Sequence, residues 1–343
     1  MFPAQALAEI LSARGWEVAM MTDVRGRAHA KNIPADPIID VKAASISPRR
    51  PIHAAIGTMQ LARGVRQAKA FIKEWRPDIV AGFGGYPAFP AMRAAQTLRI
   101  PTIIHEQNAV LGRVNRVFAT KARFVASGFE TLEKCPDRAT HVVTGNPLRK
   151  QIIEAIPKEY ELPTDRINLL IVGGSLGARI VSETMPQALA LLPDDIKNRL
   201  HVVQQTRKES LTFARETYEK ADISAICEPF FGNIETHLAK AHFVVGRAGA
   251  SSVSEIAAMG KPSLLVPLKI AMDDHQTANA ASLERLGCAD ILPESEFNPQ
   301  HVAKLLKERL TDEHWLKSAA ATAKGQGRPD AANLLAERVI TFI

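Results

Sequence analysis

Two stretches group side chains in a way that chemistry can use. The first is His105-Glu106-Gln107-Asn108, which follows the apolar run Pro101 to Ile104. Such a run is too short for a helix and reads as a buried strand. Four hydrogen-bonding side chains at a strand's C-terminal end mark the place where open α/β sheets take ligands. A satisfied turn network is the weaker alternative. The second stretch is HFVVGRAGASSVSEIAAMGKPSLLVPL, His242 to Leu268. It reads as strand, small-residue loop, helix, turn and strand. Gly246, Ala248, Gly249 and Ala250 let a ligand approach the backbone. Ser251 and Ser252 are expected to cap the helix, whose first turn offers unpaired N–H groups and a positive dipole end to phosphate. Glu255 sits about one turn further on, where a carboxylate can accept hydrogen bonds from the vicinal hydroxyls of a ribose.

Positioning these groups takes alternating strands and helices. Pro3 to Arg14 is an amphipathic helix, followed by a strand over Val18 to Met21. Asp78 to Ala81 is a strand leading into Gly82, Gly84 and Gly85, a second tight loop. Further strands are expected at Phe124 to Ser127 and Thr140 to Thr144. Residues 151–166, punctuated by Pro157 and Pro163, read as a linker. After it, Asn168 to Val172 is a strand that opens into GGSLGAR, residues 173–179. This departs from the dinucleotide fingerprint. Strands follow at His201 to Gln204 and Ile223 to Cys227, and helices at 276–287, Val302 to Leu310 and Asn333 to Phe342. The pattern predicts two doubly wound, Rossmann-like α/β domains, 1–150 and 167–343, with a cleft between them. The last helix is a candidate to pack back on the first domain. That first domain starts on a helix, with no central strand before it, which predicts a gap in its sheet.

Length and composition agree. A chain of 343 residues exceeds what one core usually serves. Its three cysteines, Cys135, Cys227 and Cys288, show no disulfide framework and no metal-ligand spacing. No apolar run reaches membrane-spanning length. The net charge of +7 suits an anionic partner. No nucleic-acid module is present, so nucleic acid is not expected. In Ala44 to Trp75 basic and apolar residues interleave. Ile56, Met59 and Leu61 with Arg63 and Arg66 form a candidate patch for an anionic membrane surface. A core helix with a solvated basic face is the competing reading.

Together GFGGYP (82–87), HEQN (105–108), GNPLR (145–149), GGSLGAR (173–179), GRAGASSVSEIAAMGKPSLLVPL (246–268) and DHQTANA (274–280) resemble the MurG family of UDP-GlcNAc transferases. The segments span most of the chain in family order. The resemblance implies a GT-B fold and an enzyme on the cytoplasmic face of the bacterial inner membrane, bound peripherally. It implies transfer of GlcNAc from UDP-GlcNAc to lipid I (undecaprenyl-pyrophosphoryl-MurNAc-pentapeptide), with inversion, to give lipid II for peptidoglycan. It implies no cofactor and no catalytic metal, with other cell-wall synthesis proteins as further partners. By position, Glu255 would bind the ribose and the Phe231 backbone the uracil. Arg149 and Ser175 would lie near the diphosphate and sugar. Ala250, Ser251 and Ser252 would line the nucleotide pocket. Gln276, Asn279 and, from the other domain, Asn108 would meet the GlcNAc. Gly84, Gly85 and Tyr86 would form the acceptor loop.

Two departures stand out. Leu176 replaces the glutamine usual in the family's Gly-rich loop. The family's opening strand and Gly-rich turn, ending in a histidine favoured as general base, are not seen before Phe2-Pro3, so the natural protein is expected to start further upstream. Among the residues present, His105 and Glu106 are the nearest substitutes as base. The alternatives are a UDP-sugar-binding form without turnover and another GT-B enzyme such as a UDP-GlcNAc 2-epimerase.

Overall fold

The computed structural model describes residues 1–44, 51–174, 177–268 and 272–342. The chain divides into two compact units, Met1–Arg149 with Arg328–Ile343, and Lys150–Gly327. Twelve described strands are present: β1 (Met20–Thr22), β2 (Ile38–Asp40), β3 (Val80–Gly82), β4 (Thr102–Glu106), β5 (Val125–Ser127), β6 (His141–Val143), β7 (Ile167–Val172), β8 (Leu200–Gln205), β9 (Ser224–Glu228), β10 (Phe243–Arg247), β11 (Ser263–Val266) and β12 (Ala289–Ile291). Every pairing between them is parallel.

The second unit is one six-stranded sheet in the order β12-β11-β10-β7-β8-β9. Its chain order runs outwards from β7 to one side and then from β10 to the other. Sequence order therefore reverses between β7 and β10. Both faces of this sheet are covered, so its strands are near-continuous apolar runs. Ile167, Leu169, Ile171, Phe243 and Val245 meet Val181, Met185, Val302 and Leu306 from the helices Arg179–Ala190 and Pro299–Thr311.

The expected linker is instead part of this unit. Residues 150–154 form a helical turn, Ile152 is fully buried, and Tyr160 and Leu162 pack on the core. The Tyr160 hydroxyl donates to the His242 carbonyl (2.9 Å). Proline punctuation signals the loss of regular structure, not the loss of packing.

In the first unit the strands form two separate sheets, β1-β2 and β3-β4-β5-β6. The core above them joins Leu7 of the first helix (Phe2–Ala13) to Ile103, Phe124 and Ala126. It is closed by Leu335, Ala336 and Val339 of the last helix, Ala331–Ile340. Helices Val24–Ala28, Asp194–Lys197, Leu211–Lys220, Ile234–Lys240 and Glu313–Gln326, and strand β12, are not picked out by the sequence pattern.

Candidate active site

In the second unit the loops after β7 and β10 flank the point where strand order reverses. This is where doubly wound sheets bind ligands. The helix Ala250–Ala258 starts there with Gly249 as its N-cap and no side-chain cap. Ser251 and Ser252 were expected to cap it, but they lie inside its first turn, too late to do so. The first helical bond runs from Val253 N–H to Gly249 O (2.9 Å). The N–H groups of residues 250–252 thus form the uncapped positive end of the helix.

Two side chains brace the surrounding loops. Gln205 accepts from the Gly173 N–H (3.2 Å) and donates to the Pro229 carbonyl (3.3 Å), which ties the Gly-rich loop to the loop before Phe231. Arg247 ends β10 and donates to the carbonyls of Val266 (3.2 Å) and Pro267 (3.4 Å), and it pairs with Glu294. Sequence reasoning passed over both. Each looks like an ordinary strand-end polar residue until its partners are known.

In the first unit His105 and Glu106 are the last two residues of β4 and are buried; the sequence reading had placed them just beyond the strand. The His105 Nε2–H donates to the Gly145 carbonyl (3.1 Å), and its Nδ1 accepts from the Gln107 amide (3.0 Å). Burial pushes its pKa from 6.5 down to about 4, against a smaller upward pull from the Gly145 bond and the Glu106 charge. The ring is neutral, and both nitrogens are engaged.

Glu106 accepts four hydrogen bonds. Oε1 takes Asn108 N–H (3.1 Å) and Asn108 Nδ2 (3.1 Å), and Oε2 takes Gly112 N–H (2.9 Å) and Asn115 Nδ2 (2.8 Å). A Cβ at Gly112 would lie 3.2 Å from Oε2, close enough to push the carboxylate by a few tenths of an ångström. Gly84 holds φ +78°, a value that disfavours any side chain, and a Cβ there would lie 3.0 Å from Asn115 Nδ2. The GFGG loop, the HEQN loop and the helix Arg113–Phe118 are therefore assembled around one carboxylate. Asn146 Nδ2 donates to the Gln107 carbonyl (2.9 Å), which zips the GNPLR segment alongside.

The two halves of the chain match different domain models. Residues 1–127 match the glycosyltransferase family 28 N-terminal domain, and residues 168–335 match the glycosyltransferase family 28 C-terminal domain. A protein of Maricaulis maris (strain MCS10) is 52% identical over 343 residues, 99% of this chain and 93% of that relative. One of Phenylobacterium zucineum (strain HLK1) is 44% identical, over 99% of this chain and 94% of the relative. Both are named UDP-N-acetylglucosamine–N-acetylmuramyl-(pentapeptide) pyrophosphoryl-undecaprenol N-acetylglucosamine transferase. The solved structure of Acinetobacter baumannii MurG superposes with a TM-score of 0.81 at 30% identity, covering 99% of this chain and 95% of that one.

The chain belongs to the MurG family. Its architecture is that of GT-B glycosyltransferases, two α/β units with parallel sheets. A putative UDP-N-acetylglucosamine 2-epimerase from Listeria monocytogenes has a TM-score of 0.64 at 16% identity, covering 97% of this chain and 90% of that one. That likeness speaks for the fold alone.

The remaining residues suggested by the MurG resemblance fall as follows. Glu255 lies in the helix Ala250–Ala258 and is half-buried; Ser251 is exposed. Gln276 accepts from the Leu268 N–H (2.9 Å) and holds the loop after β11. Asn279, expected at the sugar, is fully buried and donates to the Ala248 carbonyl (3.1 Å). It supports the loop before the helix from below, because its helical position faces the core. Phe231 packs edge-on against His237 (5.0 Å between ring centres), whereas its neighbour Phe230 is 76% exposed. The Arg149 guanidinium lies 5.9 Å from the Phe2 ring centre. Gly84 caps the helix Gly85–Thr97, and Tyr86 carries Arg25 over its ring (5.4 Å). Ser175 and Leu176 lie outside the described residues.

His105 and Glu106 are corrected as general-base candidates. A base needs a free lone pair at a reachable position. Here both imidazole nitrogens are used, and the carboxylate is saturated with donors inside the fold. The imidazole has a measurable signature. Between pH 6.5 and about 4 the unfolded chain binds a proton that the folded chain refuses. Stability is therefore full above pH 6.5 and falls with acid, by about 3 kcal/mol at pH 4 from this group. In thermal unfolding, the advantage of the wild type over His105→Gln should shrink across that window. A constant difference would mean that the imidazole protonates normally in the fold.

Proposed function

We propose that the chain is a hexosyltransferase that moves GlcNAc from UDP-GlcNAc onto undecaprenyl-pyrophosphoryl-MurNAc-pentapeptide, the lipid I to lipid II step of peptidoglycan synthesis. The observation that carries this reading is the uncapped helix at the strand-order reversal of the second unit, in a chain of this family. The leaving group is UDP, on which negative charge develops as the glycosidic bond breaks. Backbone N–H groups already oriented at a helix N-terminus stabilise that charge without reorganisation. Glu255, one turn along the same helix, binds the ribose hydroxyls. Phe231, Ala250, Ser251 and Ser252 line the nucleotide pocket, and Gln276 meets the sugar. Asn279, Gln205 and Arg247 hold the loops that present them.

The test is product formation. UDP and a lipid-linked disaccharide should appear only when UDP-GlcNAc and a lipid I analogue are both supplied. Binding of UDP-GlcNAc without product would sink the reading. Epimerised UDP-sugar formed without acceptor would replace it. Glu255→Ala removes a charge-assisted hydrogen bond worth roughly 1.5–3 kcal/mol, so the donor KM should rise about tenfold to a hundredfold. An unchanged donor KM would remove Glu255 from the ribose.

The acceptor's undecaprenyl chain places the reaction at a membrane, and the enzyme binds there peripherally. No described helix is long and apolar enough to cross one. In the helix Pro51–Trp75, Ile56 and Met59 are half-exposed and Arg63 and Arg66 exposed. Their spacing of three, four and three residues puts all four on one stripe, apolar at one end and basic at the other. Leu61 lies off this stripe and is half-buried, so it leaves the patch. Ile56→Glu with Met59→Glu should lower turnover of vesicle-borne acceptor and spare a water-soluble analogue. Equal loss on both would exclude a membrane role for the stripe.

A further inference from the structure

The helix Arg179–Ala190 follows the Gly-rich loop of the second unit and carries Pro186 in its interior. Proline has no N–H, so it gives nothing to the carbonyl four residues back, and its ring crowds that carbonyl. The carbonyl is that of Ser182, a residue with no exposed surface. A buried carbonyl left without a donor is destabilising, so the missing donor has to come from outside the helix. It comes from β8, where the Gln204 amide donates to the Ser182 carbonyl (3.1 Å).

Gln204 is itself fully buried, on the strand whose Val202 packs in the apolar core with Val181, Met185 and Ala214. Its orientation is fixed from both ends. The Tyr218 hydroxyl, on the helix Leu211–Lys220, donates to Oε1 and leaves Nε2 for Ser182. Burial pushes the Tyr218 pKa well above 10, so the hydroxyl keeps its proton and remains a donor. Turned over, the amide would set its oxygen against the Ser182 carbonyl oxygen, two acceptors face to face.

The same turn of helix is held a second time. Ser182 Oγ accepts from the Arg207 N–H (3.1 Å), just past the end of β8. The Arg207 stem then lies against the Gly-rich loop, where a Cβ on Gly177 would fall 3.0 Å from its Cγ. Gln205 points to the opposite face of the strand and holds the Gly173 N–H and the Pro229 carbonyl. Residues 204–207 therefore grip the Gly-rich loop at both ends and the helix that leaves it.

We propose that Gln204 is a positioning residue of the donor site: by supplying the N–H that Pro186 lacks, it pins the first turn of Arg179–Ala190 to β8, and with it the Gly-rich loop beside the donor. Apolar side chains at 204 and 218 would fill the same core. A fully satisfied polar pair instead selects one geometry where an apolar contact tolerates several. The inference rests on the donor reading of the second unit.

The test follows thermal unfolding and the calorimetric binding of UDP-GlcNAc, neither of which needs turnover. Gln204→Met keeps the volume but orphans the Ser182 carbonyl and the Tyr218 hydroxyl, so it should melt about 4–8 °C lower. Its affinity for UDP-GlcNAc should fall about tenfold through misplacement of the loop. Exchange of the Arg207 amide should accelerate. Adding Tyr218→Phe removes one orphan, and adding Pro186→Ala returns an N–H to the Ser182 carbonyl. The triple variant should therefore melt within about 2 °C of the wild type. Its affinity should stay low, because the helix now makes its own bond and the Gln204 tie to β8 is gone. In turnover, the donor KM should rise with the loss of affinity while the acceptor KM holds.

The proposal is overturned if affinity returns together with stability in the triple variant, which would make Gln204 a core residue and nothing more. It is also overturned if Gln204→Met binds UDP-GlcNAc as tightly as the wild type. A wild type that binds UDP-GlcNAc and never forms product would sink the transferase reading, and the affinities would still decide for or against Gln204.

Discussion

Glu106→Ala should destabilise the first unit by about 4 kcal/mol or more, lowering its melting temperature by roughly 10 °C. The carboxylate receives four donors, from Asn108 N–H, Asn108 Nδ2, Gly112 N–H and Asn115 Nδ2. Alanine orphans them where Glu106 is 4% exposed. Each buried donor left without a partner costs about 1–3 kcal/mol, and refilling the space with water recovers part of that. Glu106→Gln separates packing from charge. It keeps the volume but replaces one acceptor oxygen with an NH₂ group that can only donate. That group would face two donors whichever way the amide turns. Glutamine should therefore recover less than half of the loss. Full recovery would show that volume alone matters. Exchange of the Gly112 and Asn108 amides should accelerate in both variants, because their acceptor is gone.

Arg247→Met should have the largest effect in the second unit, about 3–5 kcal/mol of stability with a rise in donor KM. The Arg247 side chain is 11% exposed and that of Glu294 20%. Removing the guanidinium strands a carboxylate in a poorly solvated place. It also releases the carbonyls of Val266 and Pro267, so the loops after β10 and β11 lose their common tie. These loops border the N-terminus of Ala250–Ala258 and the Leu268 N–H that Gln276 holds. The decisive comparison is Arg247→Met with Glu294→Met. An apolar pair in place of a buried ion pair is often neutral, so stability should return in the double variant. The donor KM should not return, because methionine cannot hold the two carbonyls. If both recover together, Arg247 affects the donor only through stability.

Residue types and spacing were enough to show two α/β units, because strands buried on both faces leave apolar runs and the loops between them need small residues. Those features are local. Family membership was legible for the same reason: its segments lie in order along the chain, and each is a short string. Electrostatic and hydrogen-bond roles were not legible, because they depend on partners distant in sequence. His105 reads as a catalytic group in HEQN, yet its tautomer and its low pKa come from burial and from Gly145, 40 residues away. Asn279 reads as a polar contact for a sugar, yet its position on the helix turns it inward to Ala248. Ser251 and Ser252 look like caps, but the N-cap is Gly249, two residues before Ser251, and both serines lie inside the first turn. Periodicity could say that the first unit starts on a helix. Only the tertiary structure shows that β1 and β3 border a cavity of about 740 Å³ among the described residues, since a space between strands has no residues of its own.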